Sequence, residues 1–292
     1  MYAIGLDIGG TTIKLGVVRD GEEIVFKDTR PSVHDAVGLA QAAADMLKNA
    51  WSQYPDAPAG ISCPGAFNEA GLLNANQLDL VEVPFRQLLQ KELGRDMPIA
   101  NDGVCALLAE LDRGALRGCR TGIMITLGTG IGGGVVADGK PYTGYHGTHA
   151  ELGHMITHAD GKRCSCGQTG CWEAYASASA LSQMAEGMEP REILKRVEQG
   201  EMADIWQRWL YEVAQGLIGL CSIFFPEVIA IGGGLSNAGE TVVGGIRNTL
   251  EKDTGFRMYY SHVRVVSTRF RNDAGILGAA ALAIREQKED AQ

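Results

Sequence analysis

The chain has 292 residues, with 26 basic and 35 acidic side chains and a formal net charge of -9. The acidic balance and the lack of a basic stretch argue against a nucleic-acid partner, and no apolar run approaches the roughly 18 residues of a membrane-spanning helix. The N-terminus also lacks a basic export signal, so we expect a cytoplasmic protein with no membrane partner. The length of the chain suggests about two domains.

Hydrophobic periodicity predicts strands and helices that alternate along the first half of the chain. The predicted strands cover residues 2–8, 13–18, 23–27, 59–62 and 97–100, and the predicted helices cover residues 34–51, 85–93 and 104–111. An α/β arrangement follows from this alternation.

The second half opens in the same way, with predicted strands over residues 122–127 and 133–137. A polar loop rich in Cys and His covers 142–170, and helices then continue to 225. Further strands at 227–231 and 263–267 precede a last helix from 274. Each half has an apolar strand, a Gly/Thr turn and a strand leading away. We therefore expect two related α/β domains with a ligand in the cleft between them.

Glycine makes up 39 residues and clusters directly after three apolar runs. Such turns bring backbone amides close to a phosphate, and the carboxylate beside the first turn is suited to a Mg²⁺-bound water. Simple hairpin turns or a glycine bulge would give the same pattern. The candidate nucleotide-binding residues are Asp7, Gly9, Gly10, Thr11, Thr12, Gly128, Thr129, Gly130, Gly132, Gly233 and Gly234.

Asn101 and Asp102 stand at the end of a predicted strand and before a predicted helix. Phosphoryl transfer to an alcohol needs a carboxylate within hydrogen-bond reach of the hydroxyl, and Asp102 is the candidate for that general base. Asn101 would bind a neighbouring hydroxyl. The alternative is an ordinary N-cap of the following helix.

Three of the seven cysteines are clustered: Cys164, Cys166 and Cys171. With His154 they make a closed Cys₃His set, which indicates a structural zinc site; a disulfide with one spare thiol is the alternative. His149 or His158 could replace His154 as the fourth ligand. Two carboxylates flank the cluster, Glu151 and Glu173. Both are candidates for binding sugar hydroxyls, although Glu173 could equally be a solvated charge in the first turn of a helix.

Taken together, these motifs resemble the ROK family (repressors, open reading frames, kinases) of the sugar kinase/actin-like ATPase superfamily. Residues 7–11 and 127–134 resemble its two phosphate motifs, and Asn101-Asp102 matches its catalytic pair. Residues 151–154 match its Glu-x-Gly-His signature. Residues 164–173 match its Cys-x-Cys-Gly-x-x-Gly-Cys-x-Glu zinc motif at every fixed position, and residues 273–280 resemble its closing helix.

The resemblance implies two actin-like (ribonuclease H-like) lobes with an interlobe cleft and a structural zinc loop. The small lobe would cover residues 1–101, completed by the C-terminal helix at about 274–292, and the large lobe would cover 102–273. ATP with Mg²⁺ would bind the glycine loops, and a homodimer is expected. Asp102 would be the general base, and the implied sugar contacts are Gly65, Asn76, Asn101, Asp102, Glu151, His154 and Glu173.

The resemblance leaves the sugar open. Many glucokinase-like members have an Asn-Leu-x-Trp-type segment where this chain has Asn76, with no Trp after it but with Asp79 and Glu82. Glucose and its 6-hydroxyl are the first expectation, with N-acetylmannosamine, N-acetylglucosamine, fructose and allose as alternatives. A sugar-sensing repressor is not favoured, because the first phosphate motif begins at Asp7 and leaves no room for a helix-turn-helix before it. A zinc-knuckle nucleic-acid binder is opposed by the acidic charge.

Overall fold

The computed structural model describes residues 1–144 and 150–289, and the chain divides into two compact α/β units. Unit 1 contains Met1–Arg117 and the chain from Phe270, and unit 2 contains Gly118–Tyr142 and Ala150–Arg269. Within the described ranges, we find no helix with the length and apolar character needed to cross a membrane.

The secondary structure follows the alternation of strands and helices that the sequence predicts. In chain order the elements are β1 (Tyr2–Ile8), β2 (Thr12–Arg19), β3 (Glu23–Pro31), α1 (Ala36–Gln53), β4 (Ala59–Cys63), β5 (Ala66–Phe67), β6 (Leu73–Ala75), β7 (Leu80–Val83), α2 (Phe85–Leu93), β8 (Ile99–Asn101), α3 (Asp102–Arg113), β9 (Gly122–Leu127), β10 (Ile131–Ala137), β11 (Lys140–Pro141), α4 (Glu173–Ala176), α5 (Ala178–Met184), α6 (Pro190–Glu198), α7 (Ala203–Phe224), β12 (Val228–Gly232), α8 (Val243–Lys252), α9 (Thr254–Tyr259), β13 (Arg264–Ser267) and α10 (Ala274–Glu289).

Each unit is built on a five-stranded sheet, and the two sheets have the same connectivity. The strand order is β3-β2-β1-β4-β8 in unit 1 and β11-β10-β9-β12-β13 in unit 2. In both sheets the first three strands form an antiparallel meander, and the last two run parallel to the first. The prediction of two related α/β domains is confirmed, and the repeated sheet is the ribonuclease H-like arrangement that the resemblance implied.

The parallel strands place the polar motifs of unit 1 at one edge of its sheet. Strands β1, β4 and β8 all end at that edge, and Asp7 pairs in register with Ser62 while Cys63 pairs with Asn101. Ligands favour the carboxyl ends of parallel strands, because the connecting loops there expose backbone groups. The same arrangement in unit 2 brings Thr126 of β9 beside Gly232 of β12.

Helix α10 packs against the sheet of unit 1 and against α3 by direct backbone approach. A Cβ atom on Gly5 would lie 1.9 Å from the carbonyl oxygen of Ile276, and one on Gly278 would lie 1.7 Å from that of Cys105. Only glycine allows such spacing. Unit 1 therefore contains the C-terminal helix as part of its core.

The observed division of the chain differs from the predicted boundary between residues 101 and 102. Helix α3 lies in unit 1, where Val104 and Leu108 pack with Ala281 of α10, and the division follows Arg117. The predicted boundary fell at the end of a strand, whereas the apolar face of α3 requires burial against α10. The small three-stranded sheet β5-β6-β7 was also not predicted, because its strands have only two to four residues.

Candidate active site

The first glycine loop, residues 9–12, turns its four carbonyl groups toward protein donors. Ser32 donates from Oγ to the carbonyl of Gly9 at 2.5 Å and from its amide to the carbonyl of Thr11 at 3.0 Å. The carbonyl of Thr12 accepts from the amide of Gly9 at 2.9 Å.

The remaining carbonyl of the loop, that of Gly10, accepts from His34 Nε2 at 2.9 Å. Within the described part of the chain, the amides of Gly10 and Thr11 donate to no protein acceptor. The loop therefore presents N–H groups, as an anion site requires.

Asp7 precedes this loop on β1 and is held by a neighbouring strand. Ser62 Oγ donates to its Oδ1 at 2.8 Å. Burial raises the pKa of the Asp7 carboxyl, the Ser62 bond and Lys14 act in the opposite direction, and the charge of Asp102 raises it further. Gly275 lies at the start of α10, and a Cβ atom on it would lie 2.4 Å from the carboxyl carbon of Asp7. The Asp7 side chain has space there because residue 275 is a glycine.

Asn101 is the N-cap of α3, and its side chain is fixed at both ends. Oδ1 accepts from the amide of Gly103 at 2.7 Å, and Nδ2 donates to the carbonyl of Gly65 at 2.7 Å. Asp102 is the first residue of the helix; its side chain is exposed, and its Oδ1 also accepts from Gly103, at 2.8 Å. The capping alternative is therefore correct for Asn101, and it leaves the adjacent carboxylate at a helix N-terminus, which favours negative charge.

The segment that contains Asn76 lies beside these groups in unit 1. Asn76 begins a short 3-10 turn, Asn76–Leu78, and its side chain is exposed. A Cβ atom on Gly65, whose φ is +85°, would lie 2.0 Å from the carbonyl oxygen of Asn74, and one on Gly10 would lie 3.1 Å from that of Gln77. The candidate sugar-binding and phosphate-binding residues of unit 1 thus form one continuous set of contacts.

In unit 2 the second glycine loop is tied to the candidate carboxylate Glu173. Gly128 bonds within the loop to the carbonyl of Gly130 at 3.0 Å, and its own carbonyl accepts from the amide of Ala178 at 2.8 Å. Glu173 Oε2 accepts from the amide of Ile131 at 2.8 Å. A Cβ atom on Gly130 would lie 2.1 Å from that oxygen, so any other residue at this position would displace the carboxylate from the loop. Glu173 is therefore a bound carboxylate rather than a freely solvated charge.

The third glycine run lies beside the second loop in unit 2. Gly128, Thr129 and Gly234 line one cavity of about 760 Å³, together with residues of α6. Gly233 does not line it; this residue, at φ +85°, packs against the backbone of Leu127. Another predicted position, Gly132, lies within β10 rather than in the loop. The cavity thus brings together three of the predicted nucleotide-binding positions.

The predicted zinc ligands of unit 2 form a compact cluster. The ligand atoms of His154, Cys164, Cys166 and Cys171 all lie within 4.8 Å of one another. The Sγ atoms of Cys166 and Cys171 are 3.6 Å apart, and His154 Nδ1 lies 3.8 Å from Cys164 Sγ. Ligands at about 2.3 Å from a tetrahedral zinc stand about 3.8 Å apart, so this donor set fits the ion. The thiols are not disulfide-bonded.

Of the candidate fourth ligands, His154 lies in the cluster and His158 does not. His158 lies outside the cluster: its Nδ1 is 3.0 Å from the hydroxyl of Thr157, and its Nε2 is 3.6 Å from a carboxylate oxygen of Glu212. The other alternative, His149, lies outside the described residues. Glu151 directly precedes the 3-10 turn Leu152–His154 and is exposed.

Comparison with known proteins identifies the family. The model of the ROK family matches residues 3–286. The chain belongs to the ROK family. A glucokinase from Thermotoga maritima is 35% identical over 308 residues, with 96% of each chain covered. An N-acetylmannosamine kinase from Vibrio cholerae is 30% identical over 293 residues, with 96% of this chain and 98% of the relative covered.

The fold is similar to those of solved ROK structures over nearly the whole chain. A ROK hexokinase from Thermus thermophilus has a TM-score of 0.85 at 30% identity and covers 99% of this chain and 100% of its own. A ROK glucokinase from Streptomyces griseus, in complex with glucose and AMPPNP, has a TM-score of 0.78 at 30% identity, with 98% and 100% covered. This ROK protein is thus a sugar kinase that uses ATP, and its units have the actin-like fold.

Sequence reasoning missed three polar residues that support the glycine loop and Asp7 of this ROK kinase. Ser32 and His34 hold the first glycine loop, and Ser62 holds Asp7. The sequence does place Ser62 at the end of a predicted strand, but its pairing with Asp7 appears only in the structure. Ser32 and His34 follow β3, which extends to Pro31, beyond the predicted end of that strand at residue 27. Their roles depend on long-range contacts that a motif search does not contain.

Gly233 offers a test of the backbone arrangement at the third glycine run. Gly233→Ala should lower the free energy of unfolding by more than about 3 kcal/mol, because it adds a steric clash to an unfavourable φ. Its Cβ atom would lie 2.5 Å from the amide nitrogen of Leu127. Gly200→Ala is the matched control: φ is +83° and nothing lies within 4 Å of the added atom. Its expected cost is about 1 kcal/mol. Equal urea midpoints for the two variants would contradict the packing described.

Proposed function

We propose that this ROK kinase transfers the γ-phosphoryl group of ATP to the 6-hydroxyl of glucose. The observation that carries the proposal is the Asn101 side chain, fixed by two hydrogen bonds of 2.7 Å, which places the adjacent Asp102 at the exposed start of α3. A carboxylate in this position can accept the proton of a hydroxyl whose oxygen bonds to phosphorus.

In the proposed step the proton of the 6-hydroxyl passes to Asp102 as the oxygen forms its new bond to the γ-phosphorus. The bond from that phosphorus to the bridging oxygen breaks, and ADP leaves. From unit 1, Asn101, Asn76 and the backbone of Gly65 bind the sugar. From unit 2 we assign sugar contacts to Glu151, His154 and Glu173.

We assign the phosphates of ATP to backbone amides. In unit 1 the amides of Gly10 and Thr11 bind phosphate oxygens beside the Thr12 hydroxyl. In unit 2 the glycine loop at Gly128 and Thr129 binds phosphate, and the cavity of about 760 Å³, which Gly234 lines, takes the nucleoside. Gly233 supports this site from behind, through its packing against the backbone of Leu127.

Two metal ions belong to the proposal. Bound Mg²⁺ would neutralise phosphate charge. Asp7 fits as the holder of one of its waters, because burial raises the pKa of this carboxyl and a cation would stabilise the buried charge. Bound zinc would stabilise the loop that carries His154 and fix that ring in one tautomer, with Nδ1 facing the thiols. We further propose a cytoplasmic homodimer, as the resemblance to the family implies.

The substrate is tested by ADP release with ATP and a panel of free sugars: glucose, N-acetylmannosamine, N-acetylglucosamine, fructose and allose. Glucose should have the highest kcat/KM. As a control for the position of attack, 6-deoxyglucose should inhibit competitively without releasing ADP, because it keeps the ring contacts and lacks the accepting oxygen. ADP release with 6-deoxyglucose as fast as with glucose would contradict the proposed position.

N-acetylmannosamine is the second candidate substrate. It is favoured by the identity of 30% to the Vibrio cholerae kinase and by the segment after Asn76, which lacks the Trp of many glucokinase-like members. A kcat/KM for N-acetylmannosamine at least about tenfold above that for glucose would favour this candidate, since a pocket built for the acyl group discriminates at that level.

A further inference from the structure

His34 joins the first glycine loop to the segment that follows Asn76, and both partners of its ring can only accept a hydrogen bond. Nε2 lies 2.9 Å from the carbonyl oxygen of Gly10. Nδ1 lies 2.9 Å from Oδ2 of Asp79, the residue that ends the 3-10 turn. A carbonyl oxygen never donates, and an exposed aspartate is an ionised acceptor at neutral pH.

These two contacts specify the protonation state of the ring. A neutral imidazole carries one N–H and can satisfy one of two acceptors, whereas the imidazolium carries two N–H groups and satisfies both. The arrangement at His34 therefore belongs to the protonated ring. The bonds to Asp79 and to the Gly10 carbonyl both raise the pKa of His34 above its ordinary value of 6.5.

The contact with Gly10 also orients the amide of Thr11. The peptide bond is planar and trans, so the N–H of Thr11 points opposite to the Gly10 carbonyl. A donor that holds the carbonyl therefore directs this amide away from the protein donor, toward the position assigned to phosphate. On the other side of the ring, Asp79 follows directly on the turn Asn76–Leu78.

We propose that the His34 imidazolium is a positioning residue that fastens the phosphate-binding loop of unit 1 to its sugar-binding segment, so that loss of its proton weakens the binding of both substrates. The inference rests on the proposed function, since it takes Gly10 and Thr11 as phosphate contacts and Asn76 as a sugar contact. His34 touches neither substrate and acts through these residues.

The sign of the pH dependence follows from the raised pKa. Below pH 6.5 the ring is protonated and both bonds are made, and one of the two is lost as the pH rises through the pKa of His34 in the folded protein. Among the residues that the structure describes, the charged group in contact with the ring is Asp79. Asp35, the residue after His34, is the N-cap of α1 and accepts from the amide of Gly38 at 2.8 Å. From the glycine loop the ring meets an uncharged carbonyl.

Two variants separate this role from a general effect of pH. In His34→Gln the side chain offers one donor group and no charge. At every pH its KM for ATP and for the sugar should therefore stay about two- to fivefold above the wild-type value at pH 6, with kcat nearly unchanged. In Asp79→Asn the amide can donate to Nδ1 of a neutral ring while Nε2–H still binds Gly10. Asn also accepts the left-handed backbone of this position, φ +57°.

The experiment measures KM for ATP and sugar from pH 6 to pH 9 in the wild type and both variants. The wild type should show KM rising about two- to fivefold with pH, and Asp79→Asn should show a flatter profile that stays low at high pH. Titration of the ATP phosphates is common to all three proteins and cancels in the comparison. Identical KM values and pH profiles for the wild type and His34→Gln would overturn the inference, and so would an unchanged profile in Asp79→Asn.

Two measurements keep this test apart from the substrate proposal. The ring proton signals of His34, assigned by their absence in His34→Gln, should titrate above pH 6.5 in the wild type and lower in Asp79→Asn. The Kd for ATP should follow the same pH course as its KM. If no sugar were phosphorylated while the Kd and the ring titration behaved as expected, the proposed function would fail and the role of His34 would stand. If a sugar were phosphorylated while the Kd for ATP was the same in the wild type and in His34→Gln at every pH, the proposed function would stand and the role of His34 would fail.

Discussion

Asp102→Asn should lower kcat by about 10²- to 10⁴-fold and leave KM for the sugar nearly unchanged, because the variant removes the proton acceptor and keeps the shape of the site. Asn has the same size, and its Oδ1 can still accept from the amide of Gly103, as the carboxylate does at 2.8 Å. Steady-state kinetics with ATP and glucose would measure both constants.

Asp45→Asn is the matched control, because it makes the same chemical change at an exposed position of α1. Its kinetic constants should equal those of the wild type. Thermal unfolding of both variants separates loss of the base from loss of the fold. A near-normal kcat in a folded Asp102→Asn protein would remove this residue from the role of general base.

Much of the fold follows from short-range patterns in the sequence. The predicted helix over residues 85–93 and the strand over 122–127 have the observed bounds, because Gly94 ends the helix in a left-handed conformation and glycines follow the strand at Gly128. The glycine runs after β1, β9 and β12 likewise mark strand ends. These features depend on local backbone preferences, which can be predicted from the residue types alone.

The boundary between unit 1 and unit 2, by contrast, could not be predicted from local sequence patterns. Helix α3 begins directly after β8, and nothing within it reveals that its apolar residues pack against a helix more than 160 positions later. Its Glu110 is almost fully buried, 1% exposed, and accepts from the amide of Phe270 at 2.9 Å. Such pairings depend on tertiary packing and leave no periodic signal.

The candidate site shows the same contrast. The Cys₃His cluster was predictable because four residues that can bind a metal, at this spacing, have few other uses, and the structure brings the predicted set together. The environment of Glu173 was not predictable, because its partner is the amide of Ile131, 42 positions away in another element. Residue type and spacing thus identify the chemistry, whereas the hydrogen bonds that orient each group require the coordinates.

Cys166→Ser should remove most of the zinc and lower the kcat/KM for sugar by at least about tenfold, since even indirect supports of a metal site have effects of that size. Cys166 is the exposed member of the cluster, and a bond from the amide of Gln168 holds the pKa of its thiol below the ordinary value, which favours the thiolate that zinc binds. Glu173, two residues after Cys171, begins α4 directly after this loop, so loosening of the loop reaches a proposed sugar contact.

Cys119→Ser is the control, because Cys119 is a buried thiol of unit 2 outside the cluster. Metal analysis should find about one zinc per chain in the wild type and in this control, and clearly less in Cys166→Ser. A chelator should lower the Tm of the wild type toward that of Cys166→Ser and change the variant little, because the metal contributes to folding only where its ligands are complete. A wild type that is fully active and equally stable without zinc would show that the loop holds its shape through protein contacts alone.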